Sequence, residues 1–197
     1  MSKRLILFDF DGTITTKDTL LEFTKFACGN SKFYRGMLLL SVPLVMNKIG
    51  LLSAQTTKEL FLTHFFKGTA FAEFTRVCDA FTVKRLPALI RPLALQQIKD
   101  YQSAGDRMIV VSASPENWIR PWALNVGMEV ISTRVQTVDG KLTGKLNGKN
   151  CNGEEKANRI REAIQLTDYS EIIAYGDTAG DRAMFALAGK TFYKPFR

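Results

Sequence analysis

The chain has 197 residues, 46% hydrophobic and 23% charged, which excludes a disordered chain and allows one large domain or one domain with an insertion. Three cysteines, Cys28, Cys78 and Cys151, are odd in number and far apart, which argues against a disulfide framework or a zinc site and makes a reducing, cytoplasmic setting the expectation. The net charge of +8 favours anionic partners, but the basic residues are scattered and no run of five or six occurs, so no nucleic acid is expected as partner.

The first element is expected at Leu5–Phe8, a continuous apolar run that reads as a buried strand. Ser2-Lys3-Arg4 leads into it without a small-residue cleavage site, so no secretory leader is expected. From Thr16 to about Arg85 the pattern is helical throughout. Helices are expected over Thr19–Cys28, Ser31–Lys48, Ser53–Phe66 and Thr69–Thr82, with Gly29, Gly50 and Gly68 as stops. Within this stretch MLLLSVPLVM, Met37–Met46, is broken by Pro43 and falls short of the roughly 20 residues that span a bilayer. A buried helix is the expectation there, and peripheral contact with an anionic membrane is the alternative. Phe61, Phe65, Phe66, Phe71, Phe74 and Phe81 recur at roughly helical spacing and read as the segment's own core, an apolar substrate mouth being the alternative.

After Pro87 strands alternate with helices. A helix over Ala88–Ser103 precedes a strand at Arg107–Ser112. A helix over Pro115–Asn125 then leads to a strand at Glu129–Ser132. RVQTVDGKLTGKL alternates apolar and polar around Asp139-Gly140, a hairpin signal. A helix over Glu154–Leu166, a strand at Glu171–Gly176, a helix over Ala179–Ala188 and a strand at Thr191–Tyr193 complete the series. The expected class is α/β: a Rossmann-like, mainly parallel sheet with helices on both faces. Residues 1–15 and 86–197 form the expected core and residues 16–85 an inserted, all-helical cap.

In open α/β sheets ligands bind at the carboxyl ends of strands. Three such ends carry chemistry here: D-F-D-G-T (Asp9 to Thr13), S-A-S (Ser112 to Ser114) and G-D-T-A-G-D (Gly176 to Asp181). Lys156 lies on the helix between the last two. Asp9 and Asp11, two apart in an extended chain, leave on one side, and burying both is costly without a cation or a proton. Several carboxylates in one crevice imply a hard divalent cation, most simply Mg²⁺. A hydroxyl, loop N–H groups and one ammonium supply the donors that a phosphoryl group needs.

These motifs, in this order and with a helical insertion after the first, resemble the haloacid dehalogenase-like phosphohydrolase superfamily in its phosphoserine-phosphatase-like branch. The resemblance implies a Mg²⁺-dependent phosphatase acting on a phosphate monoester. It assigns Asp9 as the nucleophile that forms an aspartyl-phosphate, and Asp11 as general acid and then base. Asp9, Asp177 and the Asp11 backbone carbonyl would hold the metal. Gly12 lets the backbone pass close to the ligand, Ser112 and the N–H of Ala113 hold phosphoryl oxygens, and Lys156 neutralises charge. Asp181 supports the metal shell or Lys156. Asp18 stands where relatives carry a substrate-gripping glutamate. Ser112-Ala113-Ser114 replaces their Ser-Gly-Gly, and Gly180 replaces an asparagine. Arg76 and Arg85 are candidates for a cap arginine. The implied substrate is a phosphoserine-like small metabolite or a lipid-like phosphate. A phosphotransferase or mutase, or a phosphate-ligand-binding protein without turnover, is the alternative.

Overall fold

Arg4–Phe8 forms β1, and its four apolar residues are fully buried. The computed structural model describes residues 4–197; residues 1–3, at the start of the segment expected as 1–15, lie outside the described residues. Four further strands join β1: β2 (Arg107–Pro115), β3 (Glu129–Thr133), β6 (Glu171–Gly176) and β7 (Lys190–Tyr193). The sheet order is β3-β2-β1-β6-β7 and every pairing is parallel, with β1 at the centre. Alternation along β1 separates two cores. Ile6 and Phe8 pack with Val110, Tyr175 and Ile98 on one face, while Leu5 and Leu7 pack with Val111, Ala174 and Ile160 on the other. Covering both faces is what an all-parallel sheet requires, and it explains the unbroken apolar runs.

Between β1 and β2 the chain forms α1 (Thr19–Cys28), α2 (Asn30–Leu39), α3 (Ser41–Lys48), α4 (Ala54–Phe66), α5 (Phe71–Lys84) and α6 (Pro92–Ser103). The single helix expected over Ser31–Lys48 is therefore two, parted at Leu40. Pro43 has no N–H to donate to the Leu39 carbonyl, and its ring disfavours regular helix before it. The expected phenylalanine core is present. Phe23 packs against Phe66, Phe74 and Phe81 and stacks on Trp118 of α7 (Glu116–Asn125) at a centroid separation of 4.5 Å. Of the six phenylalanines read as a core only Phe71 is exposed.

Val135–Val138 (β4) and Lys141–Leu146 (β5) form the expected hairpin. Asp139 and Gly140 both adopt positive φ, as a tight two-residue hairpin turn demands. The hairpin stands apart from the main sheet and packs on α4. Gly68 donates to the Leu142 carbonyl and Leu142 to that of Thr69, at 2.8 and 2.9 Å. Gly144 lies so close to Thr63 that a Cβ there has no room.

Several boundaries differ from the sequence reading. The helix expected from Ala88 starts at Pro92, because Ile90 and Arg91 are extended ahead of the proline and Leu86–Leu89 is a 3₁₀ turn. β2 runs on through Ser112-Ala113-Ser114 to Pro115, with its register shifting against β3. α8 (Glu154–Ala163) stops before Ile164, which is extended. The helix expected over Ala179–Ala188 is a 3₁₀ turn, Ala179–Asp181, followed by the short α9 (Arg182–Phe185).

Candidate active site

The central position of β1 places the carboxyl ends of β1, β2 and β6 side by side. Beyond Phe8 the chain does not run straight on. Phe10–Ile14 forms one π-type turn in which Gly12 takes φ +79°, a conformation only glycine adopts freely. A Cβ at Gly12 would collide with the Asp177 carboxylate, so the first and last motifs touch here.

Asp9 is buried at the head of this turn. Its Oδ1 accepts from Lys156 Nζ at 2.6 Å and its Oδ2 from Thr13 Oγ1 at 3.0 Å. Lys156, itself buried, also reaches Asp181 Oδ1 at 2.7 Å. Burial raises the Asp9 carboxyl to about 7; the Lys156 ammonium opposes that shift and the Asp181 carboxylate adds to it. Burial works against the charge on Lys156, but Asp9 and Asp181 together outweigh it and raise the lysine above its ordinary value. The ammonium therefore stays protonated and is the fixed positive charge of the site.

Asp11 is anchored differently. Its Oδ1 accepts from the N–H and the hydroxyl of Thr19, each at 2.6 Å, and its Oδ2 lies 3.4 Å from Ser112 Oγ. The start of α1 thus sets the Asp11 side chain. Ser112 Oγ in turn accepts from the Ser114 N–H at 3.0 Å, which curls the end of β2 around it.

Asp181 spends both oxygens inside the protein. Beyond Lys156, its Oδ2 accepts from the N–H groups of Asp177 and Thr178, both at 3.0 Å. Asp177 is the reverse: its Oδ2 accepts from Arg197 at 2.6 Å, but its buried Oδ1 has no hydrogen-bond partner. Burial raises its pKa, Asp181 adds to the rise and Arg197 opposes it. Carboxylate oxygens of Asp9, Asp177 and Asp181 lie within 4.8 Å of one another. An orphaned carboxylate oxygen beside a second buried carboxylate fits a hard cation with oxygen ligands, and the donor set suits Mg²⁺.

Asp9, Asp11, Lys156 and Asp177 line a cavity of about 350 Å³ together with Gly12, Lys17, Asp18, Leu20, Ala113 and Ser114, while Ser112 and Asp181 lie buried behind its wall. Asp18 lies at its exposed rim, where its Oδ1 accepts from the Leu21 N–H and caps α1. Surrounding protein and the charge of Asp11 raise its pKa, while solvent at the rim tempers the effect. Neither Arg76 nor Arg85 lines this cavity; Arg85 pairs with Glu22 at 2.7 Å instead. The core phenylalanines are absent from its wall as well, so they do not form an apolar mouth.

The sequence reading missed Lys58. From α4 it reaches the cavity wall and donates to the Ala113 carbonyl at 2.6 Å and to Asn150 Oδ1 at 2.8 Å. Burial lowers it to about 8, with Asp11 and Asp18 working against the shift. No local pattern marks Lys58 among the lysines of the helical segment; only the reach of α4 to the end of β2 selects it. Asn152 was also missed. It stands where a side chain at Gly180 would project, so the space beside the last motif is filled from another loop.

A family model described as haloacid dehalogenase-like hydrolase matches residues 6–186. Protein CicA of Caulobacter vibrioides is 35% identical over 199 residues, covering 98% of this chain and 86% of that one. A phosphoserine phosphatase of Methanocaldococcus jannaschii is 27% identical, over 95% of this chain and 83% of that one. Among solved structures, a Bordetella pertussis protein of unknown function has the same fold, with a TM-score of 0.83 at 21% identity, covering 98% of this chain and 90% of that one.

Proposed function

The chain belongs to the haloacid dehalogenase-like hydrolase family and is a phosphoric monoester hydrolase, and on that premise we propose that it works through an aspartyl-phosphate on Asp9 with Mg²⁺ as cofactor. The observation that carries this reading is the buried Asp9 carboxylate, paired with Lys156 and facing a cavity beside the unpartnered oxygen of Asp177. Asp9, Asp177 and the Asp11 backbone carbonyl would hold the Mg²⁺, which when bound draws charge from the phosphoryl oxygens.

Asp9 attacks phosphorus and displaces the leaving oxygen, and Asp11, poised by Thr19, protonates that oxygen as it departs. The same Asp11 then takes a proton from the water that hydrolyses the acyl phosphate. Lys156 offsets the negative charge shared by Asp9 and the phosphoryl group. Ser112 and the Ala113 N–H orient phosphoryl oxygens. Asp181 positions Lys156 and the Asp177–Thr178 backbone and touches no substrate.

Residues 16–85 act as the cap over this site. Lys58 ties α4 to the end of β2 beside the cavity, and Asp18 and Lys17 face the same space. With Leu20 the main apolar element of that wall, a leaving group that is polar next to phosphorus suits it best. A phosphoserine-like metabolite meets that description more directly than an acyl chain.

Phosphate release from an aryl phosphate, with and without Mg²⁺, tests the reading. Turnover should require the metal and fall at least about a thousandfold in Asp9→Asn, the scale of losing a nucleophile. A wild type idle on aryl phosphate, phosphoserine and lipid phosphates alike would sink hydrolysis and favour transfer or binding without turnover.

A further inference from the structure

Helices α2 and α3 carry an apolar face that nothing in the described chain covers. Their backbone bonding continues through the break, since the Leu40 N–H donates to Gly36 and the Leu44 N–H to Leu40. Side chains three and four apart therefore share a face along both helices. One stripe, Phe33, Gly36, Leu40 and Leu44, turns inward, where Phe33 stacks on Phe65 and Gly36 is pressed against the same ring. The opposite stripe is Tyr34, Leu38, Val42, Val45 and Ile49, and these side chains are 58–75% exposed. Leu39 and Leu51 extend it. Single exposed apolar residues are ordinary on a protein surface, but seven within 34–51 on one helical pair mark an interaction surface.

The charge around this face is one-sided. No Asp or Glu occurs between Glu22 and Glu59 to offset the cations that α2 and α3 carry. Lys32, Arg35 and Lys48 are exposed on the two helices themselves. We propose that the α2–α3 face docks on a bilayer surface that contains anionic lipid. The apolar stripe enters the boundary between headgroups and acyl chains, and the three cations meet lipid phosphates. Among the described residues no helix is long and apolar enough to cross a membrane, so the helices lie on the bilayer. A second copy of the chain fits the face less well. A two-fold contact would set Lys32, Arg35 and Lys48 against the same cations of its twin, with no acid to separate them.

Neither the apolar stripe nor Lys32, Arg35 and Lys48 line the Asp9 cavity, so docking can be tested apart from catalysis. The full chain is sedimented with phosphatidylcholine vesicles and with vesicles that also contain phosphatidylglycerol. Wild type should partition onto the phosphatidylglycerol vesicles at least about tenfold more strongly, and added salt should weaken it. The triple variant Leu38→Ser/Val42→Ser/Val45→Ser should lose about tenfold or more of that binding. A control triple, Val83→Ser/Leu93→Ser/Leu124→Ser, which alters apolar residues exposed elsewhere, should keep it. Both triples should hydrolyse aryl phosphate as wild type does. A wild type that ignores both vesicles, or equal binding by the two triples, overturns docking. So does a wild-type dimer in sedimentation velocity that ignores vesicles and is lost only in the first triple. If aryl phosphate is not turned over but vesicle binding holds, the catalytic reading fails and the docking stands.

Discussion

At the scale of single residues, the site depends on one buried ammonium. Lys156 lies between Asp9 and Asp181 at 2.6 and 2.7 Å, and all three are nearly inaccessible to solvent. Lys156→Met keeps the length and removes the charge, which leaves two buried carboxylates without their common partner. Breaking such a pair costs about 3–5 kcal/mol, so the variant should unfold at markedly lower urea than wild type. Turnover should fall with it, and assay well below the new midpoint separates the two losses. Lys58 is the contrasting case, since its partners are a carbonyl and an amide that also accepts from Thr133 at 3.2 Å. Lys58→Met should cost only about 1–2 kcal/mol. Its larger effect should be on KM, which should rise more for phosphoserine than for an aryl phosphate if Lys58 faces the leaving group. An equal change for both substrates would reduce Lys58 to a tether between α4 and β2.

Between elements, an acid that titrates adds to the aromatic contact of α1 with α5, by pairing with Arg85 at the end of α5. Glu22 on α1 is buried and accepts from Arg85 at 2.7 Å and Lys25 at 3.1 Å, with Lys17 at 3.7 Å. Burial opposes its charge, but the hydrogen bonds from Arg85 and Lys25 prevail and hold its pKa below the ordinary glutamate value of 4.5. A depressed carboxylate contributes stability that is fully present above the unfolded value and is lost as pH falls through the folded one. Glu22→Gln should therefore weaken the protein at neutral pH and flatten the fall in stability below about pH 4.5. Parallel curves for variant and wild type across that range would show that the cluster does not respond to acid. The same helix shows what the sequence discloses. Thr19–Cys28 was legible to the residue because its signals are local: Asp18 accepts from the Leu21 N–H at the start and Gly29 stops the end. The strands β1 and β6 were legible from apolar runs that a doubly covered sheet requires. The turn at Phe10–Ile14, the break at Leu40 and the seating of the hairpin on α4 were not, because neighbours distant in sequence impose them. Lys58 was missed for that reason too: three lysines of similar texture, Lys25, Lys32 and Lys48, precede it on the helices of the same segment, and only the placement of α4 sets one against Ala113.

For the molecule as a whole, folding itself assembles the proposed cation site. Lys156 and Asp9 are 147 residues apart, and the Asp177 carboxylate reaches Gly12 only because β6 lies beside β1. In the unfolded chain these carboxylates are dispersed, so a cation that bridges them binds the folded state alone and stabilises it by mass action. At a hundredfold excess over its dissociation constant that linkage is worth about 2.7 kcal/mol, which for a chain of this size raises Tm by roughly 5–10 °C. Mg²⁺ should produce such a rise, and a chelator should reverse it. Asp177→Asn keeps the side-chain volume but gives up the charge of the oxygen that has no partner, and should abolish the Mg²⁺-dependent part of Tm. In the absence of metal the same variant should be no less stable than wild type, apart from its lost pairing with Arg197, because it relieves repulsion between Asp177 and Asp181. A Tm indifferent to Mg²⁺ in wild type would remove the metal from the site, while an equal Mg²⁺ response in Asp177→Asn would place it elsewhere.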